Sequence, residues 1–446
     1  MVAEPRADPT ALESLRADAD DARLLAATVA NHVDWMRRLA RASGGTVGAD
    51  PGLVWTDVAR AERELTLAVT AAPDVAMRDR IRTLLAGYRT EPLERVGCWA
   101  ASTDYLATLG AWLSAAGFRW GGRPHWMVLD LATVTGLPSM GQLSDETGMA
   151  VTDTFFPIAD SELPCYHPDT VAVREATVTE QPRRVWHAVQ WADGEPAGQV
   201  SICLTTGPDG VCGLHDTVVL PARRIKGVGI GRLLWVCRFA ADLGYRYVVT
   251  NAADGNGPLF TVWGFRTIGF GQTWWLPGSA LRADLPAETV AFAEAVGLGD
   301  LAALDALAAA TPGAVDLDAP LPNGMTPLQV AGATGQRAAA TWLERHGARP
   351  DVLAAWDLGL ADRARELLST VPGLLNAQRP RSGKTLLHSA VERDDLALVE
   401  LLLAAGIDTS VRDSRFGGTA LDWAHQLRRP RIAGAIRRHQ AGPTPT

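Results

Sequence analysis

One segment narrows the possible folds more than any other. Residues 220–244, LPARRIKGVGIGRLLWVCRFAADLG, read as a strand end, a basic glycine-rich turn and a helix over 232–243. Glycines at such a turn let backbone N–H groups approach an anion closely, and the helix start adds unpaired donors and a positive dipole end. Arg223, Arg224 and Lys226 add charge around it, and Gly244 ends the helix. The combination suits a pyrophosphate. Three strands lead up to it, over 185–191, 198–205 and 211–220, joined by the turns ADGEP and TGPDG. Asp-Gly between apolar runs is a hairpin signal. A strand over 247–251, a short helix near 258–263 and the pair Gly264-Phe265 follow.

Three phosphate-binding patterns compete for this turn. A Walker A loop needs G-x-x-x-x-G-K-[ST], but Gly383-Lys384-Thr385 has Gln378 where the first glycine belongs. A dinucleotide fingerprint needs a third glycine where Arg232 stands, and its strands are not hairpin-linked. The third pattern, R/Q-x-x-G-x-G/A, matches Arg224-x-x-Gly227-x-Gly229. With the preceding meander and the following strand, short helix and Gly-Phe pair, residues 137–283 resemble the GNAT (Gcn5-related) N-acetyltransferase family. A second register, Lys226-x-x-Gly229-x-Gly231, is also readable; Arg224, three residues after Pro221, is preferred.

The resemblance implies an α+β acyl-CoA N-acyltransferase fold, a mixed sheet flanked by helices. It implies acetyl-CoA as co-substrate, no metal, and direct transfer to a primary amine in a ternary complex. The backbone of Arg224, Ile225, Lys226, Gly227, Val228 and Gly229 would grip the pyrophosphate. That of Val218 and Val219 would orient the thioester arm. The tyrosine that commonly protonates the departing thiolate is replaced by Phe260, which has no proton to give; Tyr245 and Tyr247 are the nearest tyrosines in sequence. His215 and Asp216 are the candidate bases, and strand alternation lets only one of them face the substrate. His215 is preferred, a purely structural histidine being the competing reading, and His187 is a further alternative. Trp274 and Trp275 are core or acceptor-pocket walls.

Residues 1–134 form a separate α+β domain in this reading. Gly117-Phe118-Arg119 before the strand 126–131 parallels Gly264-Phe265-Arg266 before Trp274-Trp275, so the region resembles a degenerate copy of the same fold without the pyrophosphate turn. An unrelated α+β domain is the alternative. Trp120, His125 and Trp126 would then be pocket walls only. Residues 137–184 read as loop-rich.

From 286 to 440 short Ala/Leu-rich helices repeat. TPLQVA at 326–331 returns as TLLHSA at 385–390 and TALDWA at 419–424, the last two 34 positions apart. The segment resembles ankyrin repeats, about five of them, which implies an all-α solenoid and a protein partner. Arg428, Arg429, Arg431, Arg437 and Arg438 form a solvated cap or a face for an acidic partner.

The net charge of −8 argues against a nucleic-acid binder. No secretory signal and no apolar stretch long enough to span a membrane is present, and the five cysteines show no C-x-x-C pair, so a cytoplasmic protein with reduced thiols is expected. Two functions follow: an N-acetyltransferase with ankyrin repeats for protein interaction, or a silent CoA-binding scaffold.

Overall fold

The computed structural model describes residues 13–59, 63–157, 168–220, 228–253, 256–310, 316–371, 373–379, 382–414, 417–427 and 429–441. It divides into two compact units. The first comprises Met1–Leu109 and Gly117–Asp284, the second Gly110–Ala116 and Leu285–Thr446.

The strands, all in the first unit, are β1 (Thr46–Asp50), β2 (Leu53–Val58), β3 (Glu64–Val69), β4 (Arg95–Ala100), β5 (Arg119–Gly122), β6 (His125–Asp130) and β7 (Met149–Thr152). They continue with β8 (Val185–Ala192), β9 (Glu195–Leu204), β10 (Cys212–Val219), β11 (Tyr247–Ala252), β12 (Arg266–Phe270) and β13 (Gln272–Pro277). Helices α1 (Asp21–Ala42) and α2 (Val75–Gly87) precede α3 (Ala111–Ala115), which belongs to the second unit. Helices α4 (Met140–Thr147), α5 (Pro168–Thr177), α6 (Val228–Asp242), α7 (Gly257–Val262) and α8 (Gly278–Leu281) complete the first.

Two mixed sheets result. One runs β1-β2-β3-β4-β13-β5 and the other β12-β6-β11-β10-β9-β8-β7. Each contains an antiparallel meander whose last strand pairs in parallel with the next: β3 with β4, and β10 with β11. Beyond that the halves trade strands. Late in the chain, β13 inserts between β4 and β5, while the early β6 inserts between β11 and β12. Both exchanges follow the same local device. Gly117 and Gly264 turn the chain with φ of 92° and 94°, and Phe118 and Phe265 behind them are buried. The exchange ties the strands of both halves together inside the first unit.

Helix α1 starts on Asp20, whose carboxylate accepts the Arg23 N–H at 2.8 Å. Its inner face carries Leu24, Ala27, Thr28, Asn31 and Trp35 at helical spacing and packs on strands of both sheets. Helices α4, α6 and α7 cover the other face of the seven-stranded sheet, where Trp186, Trp235, Phe239 and Phe265 form the main core. The stretch expected as loop-rich, 137–184, instead holds α4, β7 and α5. Two of its residues mark helix ends: Ser139 caps α4 and Gly148 closes it in the left-handed conformation.

The second unit contains five helical hairpins: α9 (Ala287–Leu298) with α10 (Leu301–Ala310), α11 (Pro327–Ala333) with α12 (Arg337–Arg345), α13 (Val352–Asp357) with α14 (Ala361–Thr370), α15 (Leu386–Glu392) with α16 (Leu396–Ala404), and α17 (Ala420–Gln426) with α18 (Pro430–Gln440). The recurrent threonines each cap a first helix. Gln329, His388 and Asp422 reach back to Thr326, Thr385 and Thr419 in the same capping box. His388 also spans two hairpins, donating from Nε2 to the Gly418 carbonyl at 3.1 Å. Replacing His388 with Ala leaves that carbonyl and the Thr385 donors without it. A loss of about 1–3 kcal/mol follows, read in the denaturant midpoint of the second unit. An unchanged midpoint would mean that the box contributes nothing.

Candidate active site

The strand pair β10–β11 differs from its counterpart β3–β4 in the first half. In the first half, β3 and β4 stay paired from Glu64↔Arg95 to Val69↔Ala100. In the second, β10 and β11 pair only over Cys212↔Val248, Gly213↔Val249 and Leu214↔Thr250, then part. The cause lies in β10. A bulge interrupts its register with β9 between His215 and Val218, and Asp216 takes a left-handed φ of 46°. A bulge bends and twists its strand away from the neighbour. Val218 and Val219 resume pairing with β9 beyond the bulge, half-buried, and the Arg232 guanidinium donates to the Val218 carbonyl.

The bulge also breaks strand alternation, so the expectation that His215 and Asp216 face opposite sides is corrected. Both turn toward α1 and α5. His215 is buried: its Nε2 lies 2.9 Å from Asn31 Oδ1, and its ring stacks on Trp35 at 5.1 Å. The Asn31 amide nitrogen donates to the Cys203 carbonyl, which leaves its oxygen to accept from His215. Burial, reinforced by nearby His32, holds the His215 pKa well below the ordinary value. Gly213 gives Asn31 its room, since a Cβ there would sit 1.9 Å from Asn31 Oδ1.

Asp216, in contrast, lines a cavity of about 390 Å³. Its Oδ2 accepts from Arg174 Nε at 2.7 Å; the two side chains are 14% and 8% exposed. The pair is held from behind. His187, fully buried, donates from Nε2 to the Arg174 carbonyl at 2.8 Å and accepts from the Ser201 hydroxyl at 3.0 Å. His187 is thus a positioning residue for α5 and does not reach the cavity. Desolvation lowers its pKa to about 4, opposed by that hydrogen bond.

The remaining walls come from both sheets and α1. They include His32, Trp35, Trp99, Trp126 and Trp275, with the Glu64–Arg95 ion pair at 2.8 Å. Asn251, on β11 just past the point of parting, also lines the cavity. His32 is held neutral, its pKa lowered to about 4 by burial against the pull of Asp216. Of the tryptophans singled out in the sequence, Trp275 and Trp126 face the cavity, whereas Trp274 is buried edge-on against Trp120. His125 lies against Phe270 and Thr267. Sequence reasoning missed His32, Trp35, Glu64, Arg95, Trp99 and Arg174. The helical periodicity of α1 was a signal for His32 and Trp35 alone.

The tyrosine question is answered by contacts. Phe260 is buried against Trp263 and Phe265. Tyr245 donates to the Thr205 carbonyl and Tyr247 to that of Ala17. No described tyrosine lines the cavity.

Of the turn residues, Arg224, Ile225, Lys226 and Gly227 lie outside the described residues. Val228 opens α6, and Gly229 sits in its first turn, where a Cβ would lie 2.8 Å from the Trp263 ring. Among the described residues no group of His, Cys, Asp or Glu is arranged to hold a metal, and no helix is long and apolar enough to cross a membrane. Four described cysteines, Cys98, Cys203, Cys212 and Cys237, are free and buried, and burial raises their thiol pKa values.

The ankyrin repeat family model matches residues 382–414. No curated protein matches the chain. Among the solved structures similar to part of it are two bacterial proteins. One is a functionally unknown conserved protein from Staphylococcus epidermidis ATCC 12228, 14% identical, with a TM-score of 0.35 over 48% of this chain and 84% of that one. The other is a GCN5-related N-acetyltransferase from Kribbella flavida, also 14% identical, with a TM-score of 0.37 over 56% of this chain and 95% of that one.

Proposed function

We propose that this chain is an acyl-CoA-dependent N-acyltransferase that moves acetyl from acetyl-CoA to a primary amine. The observation that carries the reading is the parting of β10 from β11 after Leu214↔Thr250, at a bulge that aims Asp216 into the cavity. A slot between parallel strands exposes backbone groups that can align an extended arm. In sequence, β10 is followed by the basic turn 224–229 and α6, a pattern whose donors suit a pyrophosphate. The residues that would hold acetyl-CoA are the backbone of Val218, Val219 and Arg224 to Gly229. Acetyl-CoA supplies the thioester: the amine nitrogen forms the new C–N bond, the C–S bond breaks, and CoA leaves as its thiol.

Asp216 is the group we assign to the acceptor. Its carboxylate, fixed by Arg174, takes the proton of the incoming ammonium directly or through water. His215 has the weaker geometry, shielded behind Trp35 and committed to Asn31. Much of the rate would come from proximity. The first half, with β3 and β4 fully paired and no glycine turn before α2, is read as a silent copy that contributes walls. The repeats of the second unit would dock a protein partner. One observation favours a second reading, a silent CoA-binding scaffold: no described tyrosine is placed to serve as the acid.

Calorimetric titration of acetyl-CoA tests the proposal. Micromolar binding to the intact protein is expected, and its loss in a folded Gly229→Trp variant, whose side chain collides with Trp263 and fills the turn. No binding to the intact protein would overturn both readings. Binding without transfer to any amine would leave the scaffold.

A further inference from the structure

The cavity has a chemical character that narrows the acceptor. We propose that it takes a small monoamine with a flat aromatic body and no carboxylate. The amine part rests on the acyltransferase reading, whereas the aromatic part rests on the walls alone.

At about 390 Å³ the cavity lies at the small end of ligand sites. Four indoles, Trp35, Trp99, Trp126 and Trp275, supply its broad surfaces. Trp99, Trp126 and His32 meet edge to face, with centroids 4.8 to 5.6 Å apart, so one wall is a continuous aromatic corner. The Trp99 indole N–H is directed to Met36 Sδ at 2.8 Å, and that of Trp126 to the Ala101 carbonyl at 2.8 Å. Those two rings therefore offer a ligand flat apolar and π contact and no donor. Such walls favour an aryl body and disfavour a sugar, whose hydroxyls need partners.

Charge narrows the class further. The ionised wall groups balance: Glu64 is paired with Arg95, and Asp216 with Arg174. His32 is neutral. A polyamine would bring several positive charges against two carboxylates that already carry arginines. A ligand carboxylate would have to compete with Glu64 and Asp216 for the same guanidiniums. A single ammonium fits better. It can share Asp216, with Asn251 also lining the cavity, and place its body against Trp99, Trp126 and Trp275. Cation–π attraction to the indoles supports it on the way in.

The test is a binding titration of the full chain without acetyl-CoA, by calorimetry and indole fluorescence. 2-Phenylethylamine should bind roughly tenfold tighter than butylamine or spermidine, which lack the ring, the scale of one aromatic contact, and tighter than phenylalanine, whose carboxylate meets Glu64 and Asp216. Trp275→Leu, at a half-exposed position, should weaken it roughly tenfold, while Trp191→Leu, away from the cavity, should not. Tighter binding of spermidine or phenylalanine, or indifference to Trp275→Leu in a folded variant, would overturn the inference. Acetyl-CoA titrated into the same protein separates the failures. If acetyl-CoA binds and 2-phenylethylamine does not, the acceptor inference fails alone. If 2-phenylethylamine binds and is never acetylated, the cavity assignment stands and the acyltransferase reading fails.

Discussion

Replacing Arg174 with Met will destabilise the first unit by about 3–5 kcal/mol, the usual consequence of removing one member of a buried ion pair. Asp216 keeps its place in the bulge, with a carboxylate only 14% exposed, but loses the guanidinium that accompanies it. The aliphatic stem of Met retains much of the packing against Phe155, so the loss is chiefly electrostatic. Adding Asp216→Asn removes the stranded charge, and asparagine tolerates the left-handed backbone at this position. The double variant should therefore recover most of the lost stability and none of the transfer activity. Urea unfolding of the four proteins in the cycle gives the coupling energy directly. Additive effects of the two substitutions would show that the pair is not a unit, and full activity in the Asp216→Asn protein would remove it from the chemistry.

Acid should weaken the same unit in a defined window. His187 and His32 are neutral in the folded state, each with a pKa lowered from 6.5 to about 4, chiefly by burial. The unfolded chain takes up these protons near pH 6.5, while the folded chain refuses them until about pH 4. Their contribution to stability is thus fully present above about 6.5 and is lost as the pH falls toward 4. Each histidine accounts for about 3 kcal/mol across that window, from 1.36 kcal/mol per unit. The direction for His215 is the same. Denaturant unfolding at pH 7, 5.5 and 4 should show stability falling steeply with acid, and His187→Gln should flatten that slope even though it lowers the value at pH 7. A variant that keeps the parent's slope would show that His187 is already charged in the folded protein.

How the site is built explains why it was only partly legible. The pattern proposed for pyrophosphate recognition is local: six successive residues, a strand before and a helix after. Such a pattern can be read from 220–244 alone. The capping boxes at Thr326, Thr385 and Thr419 are legible for the same reason, since a threonine and the residue three positions on make the whole contact. The hairpin turn at Asp193-Gly194 needed only two positive φ values, which that dipeptide favours.

What tertiary structure alone decided is the cavity. Its walls join α1, β3, β4, α5, the β10 bulge and β13, brought together by two strands that cross between halves. Trp275 reaches it only because β13 pairs with β4, some 175 residues earlier in the chain. The choice between His215 and Asp216 was likewise invisible. Alternation along a regular strand would set them apart, and one inserted residue at the bulge turned both to the same side. Local backbone preferences act over a few residues and can be read from the chain. Pairing between strands far apart in sequence is settled by packing of the whole unit, and the chemistry of this cavity depends on it.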